Sequence, residues 1–164
     1  MKGESNYYTA YGLTIESFFK LPELRTVDKV EQADIVISRD SVAEVPESVN
    51  GKWIRRIQAE PDLCRISYDS YGTFLLQNGK KILFDPASNN VLGRRETRHI
   101  LQTQVLGLLL HQRGRLVLHA SAVSINGNAA IFLGPSTAGK STIAAAIHTE
   151  DYTVLEDDVV SIRI

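Results

Sequence analysis

The sequence GPSTAGKS at residues 134–141 decides the fold of this chain, because it matches the pattern G-x-x-x-x-G-K-[ST] at every fixed position. The short apolar run AAIFL at residues 129–133 predicts a buried strand before it, and TIAAAI at residues 142–147 predicts a helix after it. A strand, a glycine-containing turn and a helix, in that order, are the context in which this motif binds phosphate. The alternative is an ordinary Gly/Ser turn, which the complete motif and both flanks disfavour.

The chemistry of phosphate binding explains the spacing of this motif. Its two glycines allow a tight turn whose N–H groups face phosphate oxygens, and the new helix adds its N-terminal donors and the positive end of its dipole. The lysine can reach the β- and γ-phosphates, and the Ser141 hydroxyl can ligate Mg²⁺. The residues predicted to contact the nucleotide are Gly134, Pro135, Ser136, Thr137, Ala138, Gly139, Lys140, Ser141 and Thr142.

The composition is that of a soluble globular protein with one domain or two small ones. The 164 residues are 43% hydrophobic and 23% charged, and the net charge of -1 gives no electrostatic case for nucleic acid or an anionic membrane as partner. The lone Cys64 excludes an internal disulfide and a cysteine-based zinc site. No apolar segment follows Met1, and the apolar run at residues 105–110 is too short to span a bilayer. We therefore expect a cytoplasmic protein.

Residues 1–90 predict a small N-terminal module that is mostly β or α+β. ADIVI at residues 33–37 is strand-like by its β-branched content, and Asn78-Gly79 between two apolar runs is the strongest hairpin signal. We expect the tyrosines and Trp53 in the core or on sheet faces rather than at a ligand. The turn-rich residues 85–90 mark the predicted hinge that ends the module.

Residues 91–114 predict a connecting helix. Its charged first half is expected to be a solvated face rather than a phosphate site, and Gly114 can end it. The predicted core stripe comprises Leu101, Val105, Leu108 and Leu109, widened by Leu106 and Leu110.

Residues 115–164 predict the first half of an α/β core around the phosphate loop. We expect one strand over residues 115–123, a turn at Asn126-Gly127, and strands over residues 152–155 and 159–164.

Two acidic residues follow the loop helix, where a carboxylate that holds Mg²⁺ would lie. Asp157 and Asp158 end the predicted strand at residues 152–155. Adjacent residues on an extended backbone point in opposite directions, so one is expected to hold Mg²⁺ while the other accepts the proton of a substrate hydroxyl. We prefer Asp157 for the metal and Asp158 for the base; the reverse assignment and a simple polar turn stay open. From its residue type alone, we expect His119 to be a packed histidine of the core.

Three stretches in order resemble HPr kinase/phosphorylase, namely HASAV at residues 119–123, the loop at 134–141 and LEDD at 155–158. The chain is more similar to the HPr-kinase-related proteins encoded with lasso-peptide biosynthesis enzymes. The stretches that resemble this subgroup are YGLTI at 11–15, LPEL at 21–24, ADIVI at 33–37 and LLHQRG at 109–114.

The resemblance implies a PEP-carboxykinase-like P-loop kinase, hence an α/β fold in which an incomplete core follows the N-terminal module. It implies Mg²⁺-dependent transfer of the ATP γ-phosphoryl group to a serine, on a precursor peptide in the lasso-peptide subgroup and on the small protein HPr in HPr kinase. If the family's site residues are carried over to the matching positions, Lys140 and Ser141 hold phosphate and Mg²⁺. Asp157 and Asp158 then supply the metal contact and the base, and His119 joins the catalytic cluster.

The chain also differs from this family. Thr137 stands where the family usually has glycine, and family members continue for roughly another hundred residues after the acidic pair, so we expect a shortened chain. A nucleotide-binding module without catalysis, with a regulatory or peptide-recruiting role, is the alternative function. A transport ATPase is less favoured, because no L-S-G-G-Q-like stretch is present. An open sheet edge would favour self-association as a homo-oligomer.

Overall fold

The chain contains α-helices, a mixed sheet with parallel strand pairs and two small sheets, which confirms the predicted α/β class. The structure, a computed structural model, describes residues 5–46 and 55–164, so Trp53 lies outside the described residues. Tertiary contacts divide the chain into two compact units, Met1–Arg113 and Gly114–Ile164. In the described part of the chain, no helix is long and apolar enough to cross a membrane.

The first unit contains an eight-stranded mixed sheet. Its strand order is β3-β1-β2-β4-β8-β7-β6-β5, and the pairs β2–β4 and β4–β8 are parallel. The strands are β1 (Asn6–Ala10), β2 (Leu13–Ser17), β3 (Arg25–Thr26), β4 (Ile35–Arg39), β5 (Arg55–Ala59), β6 (Leu63–Tyr68), β7 (Gly72–Gln77) and β8 (Lys81–Pro86).

The predicted hairpin turn at Asn78-Gly79 is confirmed. Both residues have positive φ, 53° and 63°, and they join β7 to β8. Gly79 is needed here for a second reason, because a Cβ at this position would lie 2.7 Å from the Arg113 side chain. The turn is held against the end of the following helix, since the Gly79 N–H donates to Gln112 Oε1 over 3.1 Å.

The helix predicted over residues 91–114 is continuous only over residues 95–112, because Arg94 is extended, and it is not uniform. A 3₁₀ turn at Asn89–Gly93 precedes α1 (Arg95–Ile100), a π-helical segment at Leu101–Val105 and α2 (Leu106–Gln112). The predicted stripe is buried except for Leu108, which is half-buried. A π turn takes in one more residue than an α turn, so the apolar positions after it shift around the axis.

The charged start of this helix is exposed, as predicted, with one difference. Arg94, Arg95 and Glu96 are exposed, but Arg98 pairs with Glu23 at 2.8 Å and is largely covered. Burial by itself would raise the pKa of Glu23, but hydrogen bonds and charge from Arg98 more than offset this and lower it.

The second unit consists of two small sheets and one helix. Its elements are β9 (Leu116–Leu118), β10 (Ala120–Ile125), β11 (Asn128–Leu133), α3 (Lys140–His148), β12 (Thr153–Glu156) and β13 (Val160–Ile162). One sheet has the order β11-β10-β12 and the other pairs β13 with β9. The small core comprises Ala120, Ala122 and Val160, with Leu118, Ile131 and Ile162 packed against it.

The prediction of one strand over residues 115–123 is wrong. The chain bends at His119, so β9 pairs with β13 whereas β10 pairs with β11 and β12. Residues on both sides of the bend are equally strand-like, and the change of partner is a tertiary effect that the local pattern does not contain. The Asn126-Gly127 turn between β10 and β11 is confirmed, with φ of 51° and 78°.

Candidate functional site

The phosphate motif lies in a loop between a strand and a helix, as predicted, but the prediction that this strand is buried is wrong, because Leu133 is 64% exposed and β11 has no fully buried residue. Strand β11 ends at Leu133, and α3 begins at Lys140. Gly139 precedes the helix with φ of 84° and ψ of 15°, a left-handed conformation that favours glycine. The Ile143 N–H donates to the Gly139 carbonyl over 2.9 Å and closes the first helical turn. The earlier N–H groups of this turn are the donors that a helix start offers to an anion.

Gly134 allows the loop to close tightly. The Ala138 N–H donates to the Pro135 carbonyl over 3.2 Å, which brings the end of the loop back to its start. A Cβ at Gly134 would lie 3.0 Å from the Ala138 Cβ, closer than such atoms normally approach. The first glycine of the motif is thus favoured by a tight contact and Gly139 by its φ angle.

Thr137 has a strained backbone in this loop. Its φ of 69° is in the left-handed region, where a β-branched residue is an outlier. Its hydroxyl donates to the Ser136 carbonyl over 2.5 Å, a local bond that accompanies this conformation. The structure thus agrees with the expectation that threonine strains the turn in place of glycine.

The Lys140 side chain lies along the loop. The residue is only 8% exposed, and its ammonium donates to the carbonyl oxygens of Gly134 and Pro135 over 3.0 and 3.1 Å. An ammonium has three N–H donors, so these two bonds leave one for a further acceptor. The ammonium group of Lys140 thus lies at the loop itself, where a bound phosphate would need a cation.

Ser141 and Asp157, the two predicted metal ligands, are in direct contact. The Ser141 hydroxyl donates to Asp157 Oδ1 over 3.0 Å, although the two residues are 16 positions apart. A second hydroxyl, that of Ser121, donates to the same oxygen over 2.5 Å. Ser121 was not among the predicted site residues; a serine in a strand carries no functional signature of its own, and only its position within HASAV could have drawn attention to it.

The acidic pair lies in a bend between β12 and β13, and not on an extended backbone. Asp158 has φ of 74°, so the argument that adjacent acids point in opposite directions does not apply here. The Asp158 carbonyl contacts His119 Nδ1 at 2.9 Å. A carbonyl can only accept a hydrogen bond, so Nδ1 of His119 is the donor in this contact.

His119 is exposed, which makes the interpretation as a packed core histidine wrong. It lies at the bend between β9 and β10, where the chain changes sheets, and two residues before Ser121. Both ends of the acidic bend are thus tied to this part of the chain, Asp158 by His119 and Asp157 by Ser121.

The donors at Ser141 and Asp157 fit magnesium. A hydroxyl and a carboxylate are hard oxygen ligands, and Mg²⁺ in nucleotide sites takes one or two such groups together with phosphates and waters. Among residues 5–46 and 55–164, no group of three or more His, Cys, Asp and Glu side chains could hold a metal ion. The neighbouring Glu156 is half-buried, and this burial raises the pKa of its carboxyl.

Comparison of the chain with protein-family models, with curated proteins and with solved structures found no match. The similarity to HPr kinase therefore stays a prediction that depends on residues 119–123, 134–141 and 155–158.

Proposed function

We propose that this chain is a Mg²⁺-ATP-dependent serine kinase of the HPr-kinase-like class, with a PEP-carboxykinase-like P-loop core. The observation that carries the proposal is the 3.0 Å hydrogen bond between the Ser141 hydroxyl and Asp157. A serine at the end of a phosphate loop and an aspartate after the next strand are the two side chains that hold Mg²⁺ in P-loop NTPases. Their contact gives the motif a partner that an ordinary Gly/Ser turn would not need.

In the proposed reaction, the protein groups bind and orient the nucleotide. The N–H groups at the start of α3 and the Lys140 ammonium bind the phosphates, and Ser141 and Asp157 hold Mg²⁺. Bound Mg²⁺ would neutralise the charge that develops on the transferred phosphoryl group. Asp158 is proposed as the base that accepts the proton of the attacking serine hydroxyl, and His119 holds its backbone carbonyl at 2.9 Å.

The proposed acceptor is a serine on a peptide or small protein, as in the family that the sequence resembles. The test incubates the chain with Mg²⁺ and γ-labelled ATP in the presence of serine-containing peptides and small proteins. We expect label on serine, and its loss in Lys140→Met, which keeps the buried stem of the side chain but removes the ammonium. We also expect its loss in Asp158→Asn.

A matched control for Asp158→Asn is Asp151→Asn, because Asp151 is an exposed aspartate of the same unit that also has positive φ, 64°. This control should transfer label at the wild-type rate. Transfer that persists in Asp158→Asn would remove Asp158 from the role of base.

The second candidate function is nucleotide binding without transfer, in a regulatory or peptide-recruiting module. The observation in its favour is that the contacts of Ser141, Asp157 and Lys140 belong to groups that bind phosphate and Mg²⁺, whereas the contact of Asp158, the proposed base, is made by its backbone carbonyl. Binding of Mg²⁺-ATP with no label on any acceptor would favour this candidate.

Self-association as a homo-oligomer is also proposed. Strand β11 (NAAIFL) lies at an edge of its sheet and carries neither charge nor proline, the devices that usually protect an edge. Light scattering at increasing protein concentration tests this proposal, and a constant monomer mass would contradict it.

A further inference from the structure

Strand β12 contains an irregularity that changes which residues face the central strand of its sheet. Val123 pairs with Val154, but Ala122 pairs with Glu156, so β12 has one additional residue, Leu155, at this point. This is a β-bulge, which commonly re-aims a side chain near a functional site.

The bulge determines which acid meets β10. Continued from the pair of Ala122 with Glu156, the antiparallel register places Asp157 opposite Ser121. If the register set by the pair of Val123 with Val154 continued without the bulge, Ser121 would instead face Glu156. The 2.5 Å bond from the Ser121 hydroxyl to Asp157 Oδ1 shows that the side chains make the contact that the shifted register allows.

Ser121 is a fixed donor. It is 0% exposed and lies in β10, the central strand of the three-stranded sheet. Asp157, by contrast, is exposed in a bend. A hydrogen bond to a carboxylate is stronger than one between neutral groups, and a buried donor loses little freedom when it makes this bond. The buried serine can therefore hold the exposed carboxylate in one orientation.

We propose that Ser121 is a positioning residue for Mg²⁺ binding, and that the bulge at Leu155 selects Asp157 rather than Glu156 as the acid beside Ser141. The inference rests on the proposed function. Ser121 acts through Asp157: its hydroxyl holds Oδ1 where the Ser141 hydroxyl also reaches it, at 3.0 Å. The carboxylate is then already oriented before a nucleotide binds. Outer partners of this kind typically change metal affinity 10- to 100-fold.

The test compares Ser121→Ala with Ser124→Ala and Asp157→Asn. Ser124 is a suitable control because it lies on the same strand, pairs with Ala129 and Thr153, and is remote from Asp157 in the register. The first measurement is the ratio of ADP affinities with and without Mg²⁺, by calorimetry. We expect Ser121→Ala to lower this ratio about 10-fold, Asp157→Asn to abolish the Mg²⁺ effect, and Ser124→Ala to leave it unchanged.

The second measurement needs no nucleotide. The three-bond Hα–Hβ couplings of Asp157 in the free protein report its side-chain rotamers. We expect one rotamer in the wild type and in Ser124→Ala, and averaged couplings in Ser121→Ala.

The two measurements separate the possible failures. The inference would be overturned if Ser121→Ala kept a single Asp157 rotamer and the wild-type ratio of ADP affinities with and without Mg²⁺. It would also be overturned if the Asp157 rotamers were averaged but this ratio stayed unchanged. If the wild type binds no ADP, the proposed function fails, and the couplings alone decide whether Ser121 positions Asp157.

Discussion

Replacement of Gly139 by alanine tests the loop geometry directly. At this position φ is 84°, and no atom lies within 4 Å of the place where a Cβ would be added. The alanine therefore meets no steric clash with a neighbour, and its cost arises from the left-handed backbone alone, about 1–2 kcal/mol. The free energy of unfolding should decrease by up to this amount, and by less to the extent that the loop relaxes.

The same substitution should also weaken nucleotide binding. Gly139 is the residue immediately before α3, and a backbone that leaves the left-handed region to relieve strain moves the Lys140 N–H and the first turn of the helix. The loop must return to the strained form to bind phosphate, so the strain that relaxation relieves in the free protein is restored on binding. If all of the ~1–2 kcal/mol is relieved, the loss of affinity for Mg²⁺-ATP is about 5- to 30-fold.

Gly127→Ala is the matched control. Gly127 has φ of 78° in the turn between β10 and β11, and a Cβ there would also meet no atom within 4 Å. Urea unfolding should show a similar loss of stability in both variants, whereas calorimetry should show weaker Mg²⁺-ATP binding in Gly139→Ala alone. Wild-type stability together with wild-type Mg²⁺-ATP affinity in Gly139→Ala would refute the strain argument, and equal affinity losses in the two variants would refute the role of the loop.

Three further predictions concern close contact, pH and the histidine. Gly134→Ala should lower the free energy of unfolding by about 1–3 kcal/mol through its contact with Ala138. In a double-mutant cycle measured by urea unfolding, Ala138→Gly should restore most of this stability. Additive losses of the two substitutions would contradict the contact. Burial raises the pKa of Tyr68 to about 12, so the unfolded chain loses this proton first, and stability should fall as pH rises from about 10 to 12. Urea unfolding of Tyr68→Phe should lack this fall, and an equal fall in both proteins would exclude Tyr68 as its source. His119→Asn keeps an N–H donor near the Asp158 carbonyl and should retain transfer of label from ATP to serine, whereas His119→Gln should not. The reverse order would contradict a role for this hydrogen bond.

Features that depend on local sequence could be predicted. The Asn78-Gly79 and Asn126-Gly127 turns require positive φ at adjacent residues, which these pairs adopt at low cost, and the structure has both. The strand, loop and helix around residues 134–141 follow from apolar patterning and the motif. Ser141 and Asp157 were each predicted as Mg²⁺ ligands, from the motif and from the position of an acid after the loop helix, and in the structure they are in contact.

Features that depend on strand pairing could not be predicted. The split at His119 arises because β9 and β10 join different sheets, and the role of Ser121 arises from a bulge on another strand. One inserted residue in a register changes every pair that follows, and single-sequence patterns do not contain the register. The π-helical segment at Leu101–Val105 similarly leaves no mark in the apolar pattern, which predicts a uniform helix.

Calorimetric titration of Mg²⁺-ATP into the chain tests the central claim most directly. Lys140→Met is the variant that removes the positive charge proposed to contact the phosphates. Lys81→Ala, at an exposed strand position of the first unit, is the control. We predict that the wild type and Lys81→Ala bind Mg²⁺-ATP with the same affinity and that Lys140→Met does not bind it. Absence of binding to the wild type, or equal binding to Lys140→Met, would contradict the assignment of residues 134–141 as a working phosphate loop.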